Sequence, residues 1–313
     1  PYLLFAVWSG ALADRFDPAH RLQTSCYTTG GPDSHGVVPG DLIIYGRGDP
    51  SFSPRFHRGE LQPPFRAFAK AIHEAGVRQV KGRLIADESY FNIPPFGSGW
   101  TWDDLLQTYG AEVSALSAHD NIAYLNILPG RRAAEPCRIS TRPAQIPFLI
   151  RNHAFTARAG LPESLREHRP FLKNEIILTG QLAADHPGRH IELTIRRPAI
   201  WFGRLLKVEL EKLGIRIAGG IAAINWNERL LQPLARQNIA HVASVPSPPI
   251  VELTRHMMKD SQNLYAQLLL LQAGMKSPQA GSDTEEAAVI NLERFLRSAG
   301  IEPTEVTLEE GSG

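Results

Sequence analysis

A serine and an asparagine with one residue between them, Ser261 and Asn263, stand inside the polar run Lys259-Asp260-Ser261-Gln262-Asn263. Apolar residues recur at helical spacing on both sides, Ile250, Leu253 and Met257 before the run and Leu264, Leu268 and Leu271 after it. The spacing therefore predicts two helices meeting at a polar junction. Ser247-Pro248 reads as an N-cap with proline at the first helical position. A serine hydroxyl can pass a proton, and an asparagine amide can hold a peptide carbonyl through its NH2 group. The same residues suit a plain helix–helix turn, since both types are common in turns. Spacing alone leaves both readings open.

Other residues invite chemistry less. Asp103-Asp104 could ligate a metal, but adjacent side chains point apart and no His/Cys cluster accompanies them, so a cap beside packed tryptophans is the expectation. Gly46 and Gly48 before Asp49 lack the lysine and helix start of a phosphate cradle. Arg47-Gly48-Asp49 as an adhesion tripeptide has nothing else to support it. Ser9 as a nucleophile would find Leu12 three residues on, which cannot serve as its base, and is read as a helix-packing serine. Cys26 and Cys137 could pair or stay free.

The 313 residues allow one large or two to three ordinary domains, and a net charge of +1 argues against a nucleic-acid binder. The longest apolar runs, Tyr2 to Trp8 and Leu268 to Leu271, fall short of a membrane span, so no transmembrane helix is expected. Pro1 leads into an apolar run without a Met or a charged segment, so a signal peptide is read as removed or as never part of this stretch.

Taken with its flanks, the tripeptide says more. Ser247-Pro248-Pro249-Ile250, then Ser261-Gln262-Asn263-Leu264-Tyr265-Ala266-Gln267, then Gly281-Ser282 and Glu310-Gly311-Ser312-Gly313 resemble class C penicillin-binding proteins, the penicillin-binding protein 4 type of D-alanyl-D-alanine carboxypeptidase and endopeptidase. Gly99 to Leu105 with Tyr109 to Leu116 and Asp120-Asn121, and Gly46 to Pro50, resemble the same family. Its site is made by Ser-x-x-Lys, Ser-x-Asn and Lys-Thr-Gly. Ser261 and Asn263 match the second. The family register places the nucleophile at Tyr2 and its base at Phe5, and neither can do that work. None of the seven lysines has a serine three residues before it, and Lys-Thr-Gly does not occur. The resemblance implies no metal or organic cofactor, peptidoglycan stem peptides ending in D-Ala-D-Ala as substrate, β-lactams as ligands of complete relatives, and a periplasmic or otherwise extracytoplasmic setting.

The elements that would position the pair follow from capping and periodicity. Pro64 to Ala75 and Pro198 to Leu213 are predicted helices, each stopped by glycine and followed by a strand, Gly82 to Asp87 and Gly220 to Ile224. Glu285 to Ser298 is a third helix, and Gly40 to Tyr45 an apolar strand ending in a glycine turn. Residues Arg131 to Glu175 carry nine Lys/Arg against four Glu, many prolines and little periodicity. The fold expected is α+β: an incomplete serine β-lactamase/transpeptidase-like domain of helices around an antiparallel sheet (1–24 and 245–313), an inserted α+β domain (25–130 and 176–244), and a small domain nested in that (131–175). With one catalytic element of three, the chain is expected to be a truncated, inactive fragment of a serine-type carboxypeptidase. The alternatives are a degenerate peptidoglycan-binding or scaffold protein, or a binding module resting on the basic segment. The opening helix and those after Ser247 are expected to leave an apolar face exposed.

Overall fold

The computed structural model describes residues 16–171, 173–234, 238–302, 305, 306, 308, 310 and 311, so Tyr2, Phe5, Ser9 and Leu12 lie outside the described residues. Six α-helices occur among them: α1 (Gln62–Glu74), α2 (Pro198–Lys212), α3 (Trp226–Leu231), α4 (Ile250–Asp260), α5 (Asn263–Lys276) and α6 (Thr284–Ser298).

The twice-repeated pattern of proline, helix, glycine and strand forms one layered unit. Strands Ile221–Ile224, Leu84–Asp87 and Leu42–Tyr45 run parallel, and Gln23–Thr29 and Ile239–Pro246 continue the same sheet antiparallel. Gly76 and Gly214 end α1 and α2 at φ values of +93° and +79°, the left-handed stop that a side chain disfavours. Both helices lay Phe65, Phe68, Ile72, Trp201, Phe202 and Leu206 against Leu42, Ile44 and Leu84. Cys26 lies in this core and Cys137 in a second one, and both thiols are buried and unpaired.

The basic segment, expected to lack periodicity, is built of strands. Arg138–Arg142 pairs with Ile122–Leu128, which also pairs with Arg189–Thr194. Leu149–Asn152 and Arg166–His168 flank Glu175–Thr179, and Phe155–Ala157 pairs with Gln181–Ala183. A separate core of Leu125, Ile127, Ile176, Leu178, Leu182 and Leu193 lies beneath them. Strands of three to five residues are too short to register as alternation in sequence. Within the segment Arg151 pairs with Glu175, while Glu163 and Glu167 are taken up by Arg189 from the neighbouring strand Arg189–Thr194.

Helices α4 to α6 form a third layer, and here two expectations fail. Ser247 caps no helix, because α4 starts at Ile250. It is fully buried instead, its hydroxyl accepting from the Leu22 N–H at 3.0 Å and donating to the Pro248 carbonyl at 2.6 Å. The helices after Ser247 do not show the expected exposed apolar face either, and the opening helix lies outside the described residues. Every residue of α5 from Leu264 to Gly274 is buried, and among the described residues of this region only Val251 and Val306 are large hydrophobics counted as exposed. Phe91, Val113 and Ala115 from the preceding loops join Leu253, Met257 and Leu268 in one core, and α6 covers Leu270 with Ala288, Leu292 and Leu296. Loops from the sheet unit thus cover helices that have few strands of their own to pack on. No helix among the described residues is long and apolar enough to cross a membrane.

Candidate functional site

The polar junction expected from the sequence lies between α4 and α5. Helix α4 ends at Asp260, and Ser261 turns into the left-handed region at φ 51°, ψ 51°, its N–H donating to the Met257 carbonyl. Gln262 is extended, and Asn263 begins α5. Left-handed backbone disfavours an L-residue by roughly 1–2 kcal/mol, so glycine would be the ordinary choice. Serine there presents a hydroxyl at an exposed position, with the Asn263 amide half-buried beside it. Among the described residues neither side chain has a hydrogen-bond partner, which leaves donor and acceptor capacity for a ligand.

The residues on either side of the pair are anchored. Arg55 donates from Nη1 to Asp260 Oδ2 at 3.1 Å and from Nε to Asp120 Oδ2 at 2.8 Å. Asp120 Oδ1 accepts from the buried Tyr265 hydroxyl at 2.6 Å. Burial, and then the neighbouring Asp120 carboxylate, raise the Tyr265 phenol well above its ordinary range, so it stays a donor. His256 Nδ1 stands 3.6 Å from Asp260, and the Phe56 ring lies 4.4 Å from that imidazole and 5.9 Å from Tyr265. Two loops of the sheet unit thereby hold both ends of the helix junction.

One of those loops is itself strained. His119, Asp120 and Asn121 all have positive φ, at 52°, 57° and 55°. Three consecutive non-glycine residues in this region persist only when their surroundings over-determine them. Each side chain is engaged: Asp120 as above, His119 Nδ1 with the Ile122 carbonyl at 2.7 Å, and Asn121 with Glu112, Ser117 and Ala118. A cavity of about 340 Å³ opens beside the Arg55–Asp120 pair, with His119, Tyr124, Arg142 and His190 among its walls.

The remaining sequence candidates fall elsewhere. Asp103 and Asp104 both accept from the Thr101 hydroxyl, at 2.7 and 2.8 Å, and Asp104 also accepts from its N–H at 2.9 Å. Of the two neighbouring tryptophans expected to pack there, Trp100 is half-buried against the core around α4 and α5, whereas Trp102 is 77% exposed. Among the described residues no three or more acids, histidines or cysteines come together as a metal ion would need. Asp49 is buried at 3% exposure, so Arg47-Gly48-Asp49 is not displayed as a tripeptide. Burial pushes its carboxyl up to about 6, while it accepts from the Ser51 N–H at 2.8 Å. Gly311 of the Glu-Gly-Ser-Gly stretch donates its N–H to Gln267 Oε1 at 2.6 Å, docking that stretch on α5; Ser312 and Gly313 lie outside the described residues. Arg55, Tyr265, His256 and the anchoring role of Asp120 were missed by sequence reasoning. The quoted stretches already contained Asp120 and Tyr265, but nothing in their spacing joins them to Arg55.

Residues 9–313 match the D-Ala-D-Ala carboxypeptidase 3 (S13) family. The chain is 28% identical over 302 residues to a D-alanyl-D-alanine carboxypeptidase of Actinomadura sp. (strain R39), covering 94% of this chain and 52% of that protein. It is 23% identical over 304 residues to the D-alanyl-D-alanine carboxypeptidase DacB of Haemophilus influenzae, covering 97% and 58%. The crystal structure of penicillin binding protein 4 (dacB) from Haemophilus influenzae superposes with a TM-score of 0.78 at 21% identity, over 99% of this chain and 64% of that one. The chain spans about half the length of the curated relatives it matches.

Proposed function

The chain belongs to the D-Ala-D-Ala carboxypeptidase 3 (S13) family and has the fold of penicillin-binding protein 4, and from that premise we propose that Ser261 and Asn263 are the proton-relay and peptide-holding residues of a serine-type carboxypeptidase/endopeptidase site. The substrate in this reading is a peptidoglycan stem peptide ending in D-Ala-D-Ala, met outside the cytoplasm, with β-lactams as mimics of it. No metal or organic cofactor is required. The observation that carries the reading is the exposed, unpartnered Ser261 at φ 51°, set between Asp260 and Tyr265, both of which are anchored to other parts of the fold.

The chemistry assigns the pair distinct parts. A serine hydroxyl attacks the carbonyl between the last two D-alanines only with a base beside it, because it is barely ionised near neutral pH. Ser261 would return that proton to the leaving amine, and Asn263 would hold the peptide backbone while backbone N–H groups meet the oxyanion. The attacking serine and its lysine are not supplied by Ser-x-x-Lys here, and no Lys-Thr-Gly is present to hold the terminal carboxylate. These 313 residues by themselves therefore form no acyl-enzyme, and turnover would need both elements from residues outside them. We further propose the division into 1–24 with 245–313, 25–130 with 176–244, and 131–175. Strands Gln23–Thr29 and Ile239–Pro246, paired with each other, would be where the chain enters and leaves the inserted domain.

Titration of the chain with an acylated Lys-D-Ala-D-Ala peptide, followed by NMR, tests the assignment. Asn263→Ala is expected to weaken binding about tenfold, the worth of one good amide contact, and Ser261→Ala to change it little. Equal affinity for wild type and Asn263→Ala would sink the assignment.

A further inference from the structure

A groove of about 480 Å³ lies on the side of the central sheet facing α5, away from the Ser261–Asn263 junction. Its floor is Arg47, at the end of strand Leu42–Tyr45, and its walls include Tyr27, Tyr90, Ser25, Ser244 and Gln272. The Gln272 amide donates to the Arg47 carbonyl, which fixes the groove to α5. Asn263 and Gln272 are nine residues apart, two and a half helical turns, so their side chains leave α5 on opposite sides. The groove is therefore separate from the candidate catalytic pair.

Arg47 is held in one pose. Its guanidinium lies 4.8 Å over the Tyr45 ring, and Nη1 donates to the Gln23 carbonyl at 2.9 Å and to Ser25 Oγ at 2.8 Å. Nη2 reaches the Tyr27 hydroxyl at 3.4 Å. Both N–H groups of Nη1 are thus used. Nε has no partner among the described residues and Nη2 has only the long contact to Tyr27, so the Nε–Nη2 edge is the fork that can take a carboxylate side-on with two parallel hydrogen bonds. Arg21 and His20 stand at the rim, and no Asp or Glu is among the groove's lining residues. Around the fork are phenol rings and small hydroxyls. The Tyr90 ring meets Tyr45 edge-on at 6.2 Å, and the Ser25 and Ser244 hydroxyls are 2.8 Å apart. An amphipathic aromatic wall with a few convergent polar groups suits a ring that has an apolar face and a polar edge.

We infer that this groove binds a saccharide bearing a carboxylate, with the acid on the open edge of Arg47 and the sugar ring against Tyr90 and Tyr27. Because the proposed substrate is a wall peptide, the fitting ligand is a muramic-acid unit of the glycan strand whose stem peptide has been removed, since only there is its carboxylate free rather than bound in the amide to the peptide. In this respect the inference rests on the function proposed above. The groove would anchor the protein to a peptide-free unit of the glycan, leaving peptide-bearing units to the Ser261–Asn263 side.

The test uses the 313-residue chain and the peptide-free disaccharide N-acetylglucosaminyl-N-acetylmuramic acid, with chitobiose as its uncharged counterpart, in calorimetric titration. The anionic disaccharide is expected to bind at least about tenfold more tightly than chitobiose. Arg47→Lys, which keeps the charge and removes the fork, and Ser244→Trp, which fills the groove, are each expected to remove about tenfold of that affinity. Circular dichroism of each variant checks that it folds, and the second variant carries the test if the first does not. Equal binding of the two sugars, or undiminished binding in the folded variants, overturns the inference. Displacement by inorganic phosphate at equal concentration overturns the saccharide part, since it would mark a plain anion site. The probe has no D-Ala-D-Ala end, so its failure leaves the Asn263 assignment standing, and failure of the peptide titration leaves this result standing.

Discussion

The Tyr265 hydroxyl donates to Asp120 Oδ1 at 2.6 Å, joining the first turn of α5 to a left-handed loop 145 residues earlier in the chain. Arg55 completes the link from Asp120 to Asp260. The pair Ser261–Asn263 therefore sits between two anchored residues, and its geometry depends on side chains that do no chemistry themselves.

Removing the phenol tests that link. Tyr265→Phe is expected to cost about 1–2 kcal/mol, the value of a buried hydrogen bond to a charged acceptor. Asp120→Ala is expected to cost about 3 kcal/mol, because it leaves Arg55 and the buried Tyr265 hydroxyl without their shared acceptor. Urea unfolding of both single variants and the double variant should give a coupling energy of about 1 kcal/mol or more. Strict additivity would show that the contact contributes nothing.

At Ser261 two backbone effects oppose each other. Glycine would relieve about 1–2 kcal/mol of left-handed strain but add about 0.4–1 kcal/mol of unfolded-chain entropy. The strain is larger, so Ser261→Gly is expected to raise stability by about 0.5–1 kcal/mol, while Ser261→Ala brings no gain. A midpoint shift in denaturant that is the same for both substitutions would rule out a left-handed Ser261.

Gly274 separates helix propensity from packing. Alanine in mid-helix is favoured over glycine by about 1 kcal/mol, yet a Cβ at Gly274 would stand 2.1 Å from the Thr284 carbonyl oxygen at the start of α6. The clash is with backbone and cannot be relieved by a rotamer. Gly274→Ala is expected to lower the thermal midpoint, and a rise would mean that α6 packs less closely.

Glu88 gives a pH dependence with a definite sign. Burial pushes its carboxyl up to about 7 from an ordinary 4.5, against the smaller opposing pull of the Ser114 hydroxyl that donates to it. The folded state thus binds the proton more tightly than the unfolded chain. Its contribution is favourable to folding while protonated, falls as pH rises from about 4.5, and levels off above about 7. Relative to Glu88→Gln, the wild type is expected to lose about 2 kcal/mol between pH 5 and pH 8. Parallel unfolding curves for the two proteins at both pH values would contradict this.

The helix pair around Ser261, the proline-to-glycine helices α1 and α2 and their parallel strands were legible because each is written in local signals of capping and period. What joined them was not. Ser247 looks like a cap by type and spacing, yet the N–H that it serves belongs to Leu22, 225 residues away. Arg55 gives no local sign of its role, because its partners Asp120 and Asp260 lie 65 and 205 residues further along the chain. The strands within 131–175 escaped notice because three to five residues are too few to show a hydrophobic period. The apolar surface of α5 was expected to lack cover because the loop residues Phe91 and Val113 that reach it carry no periodic signal either.

The most direct measurement of the central claim is to mix the purified 313-residue chain with a fluorescent penicillin and look for a covalently labelled band on a denaturing gel, with Ser9→Ala and Ser261→Ala beside it. A chain that holds the Ser-x-Asn element but no acylatable serine gives no band. A band in the wild type that disappears in one serine variant would show that the nucleophile lies within these residues and that Ser261 and Asn263 have been assigned to the wrong reaction step.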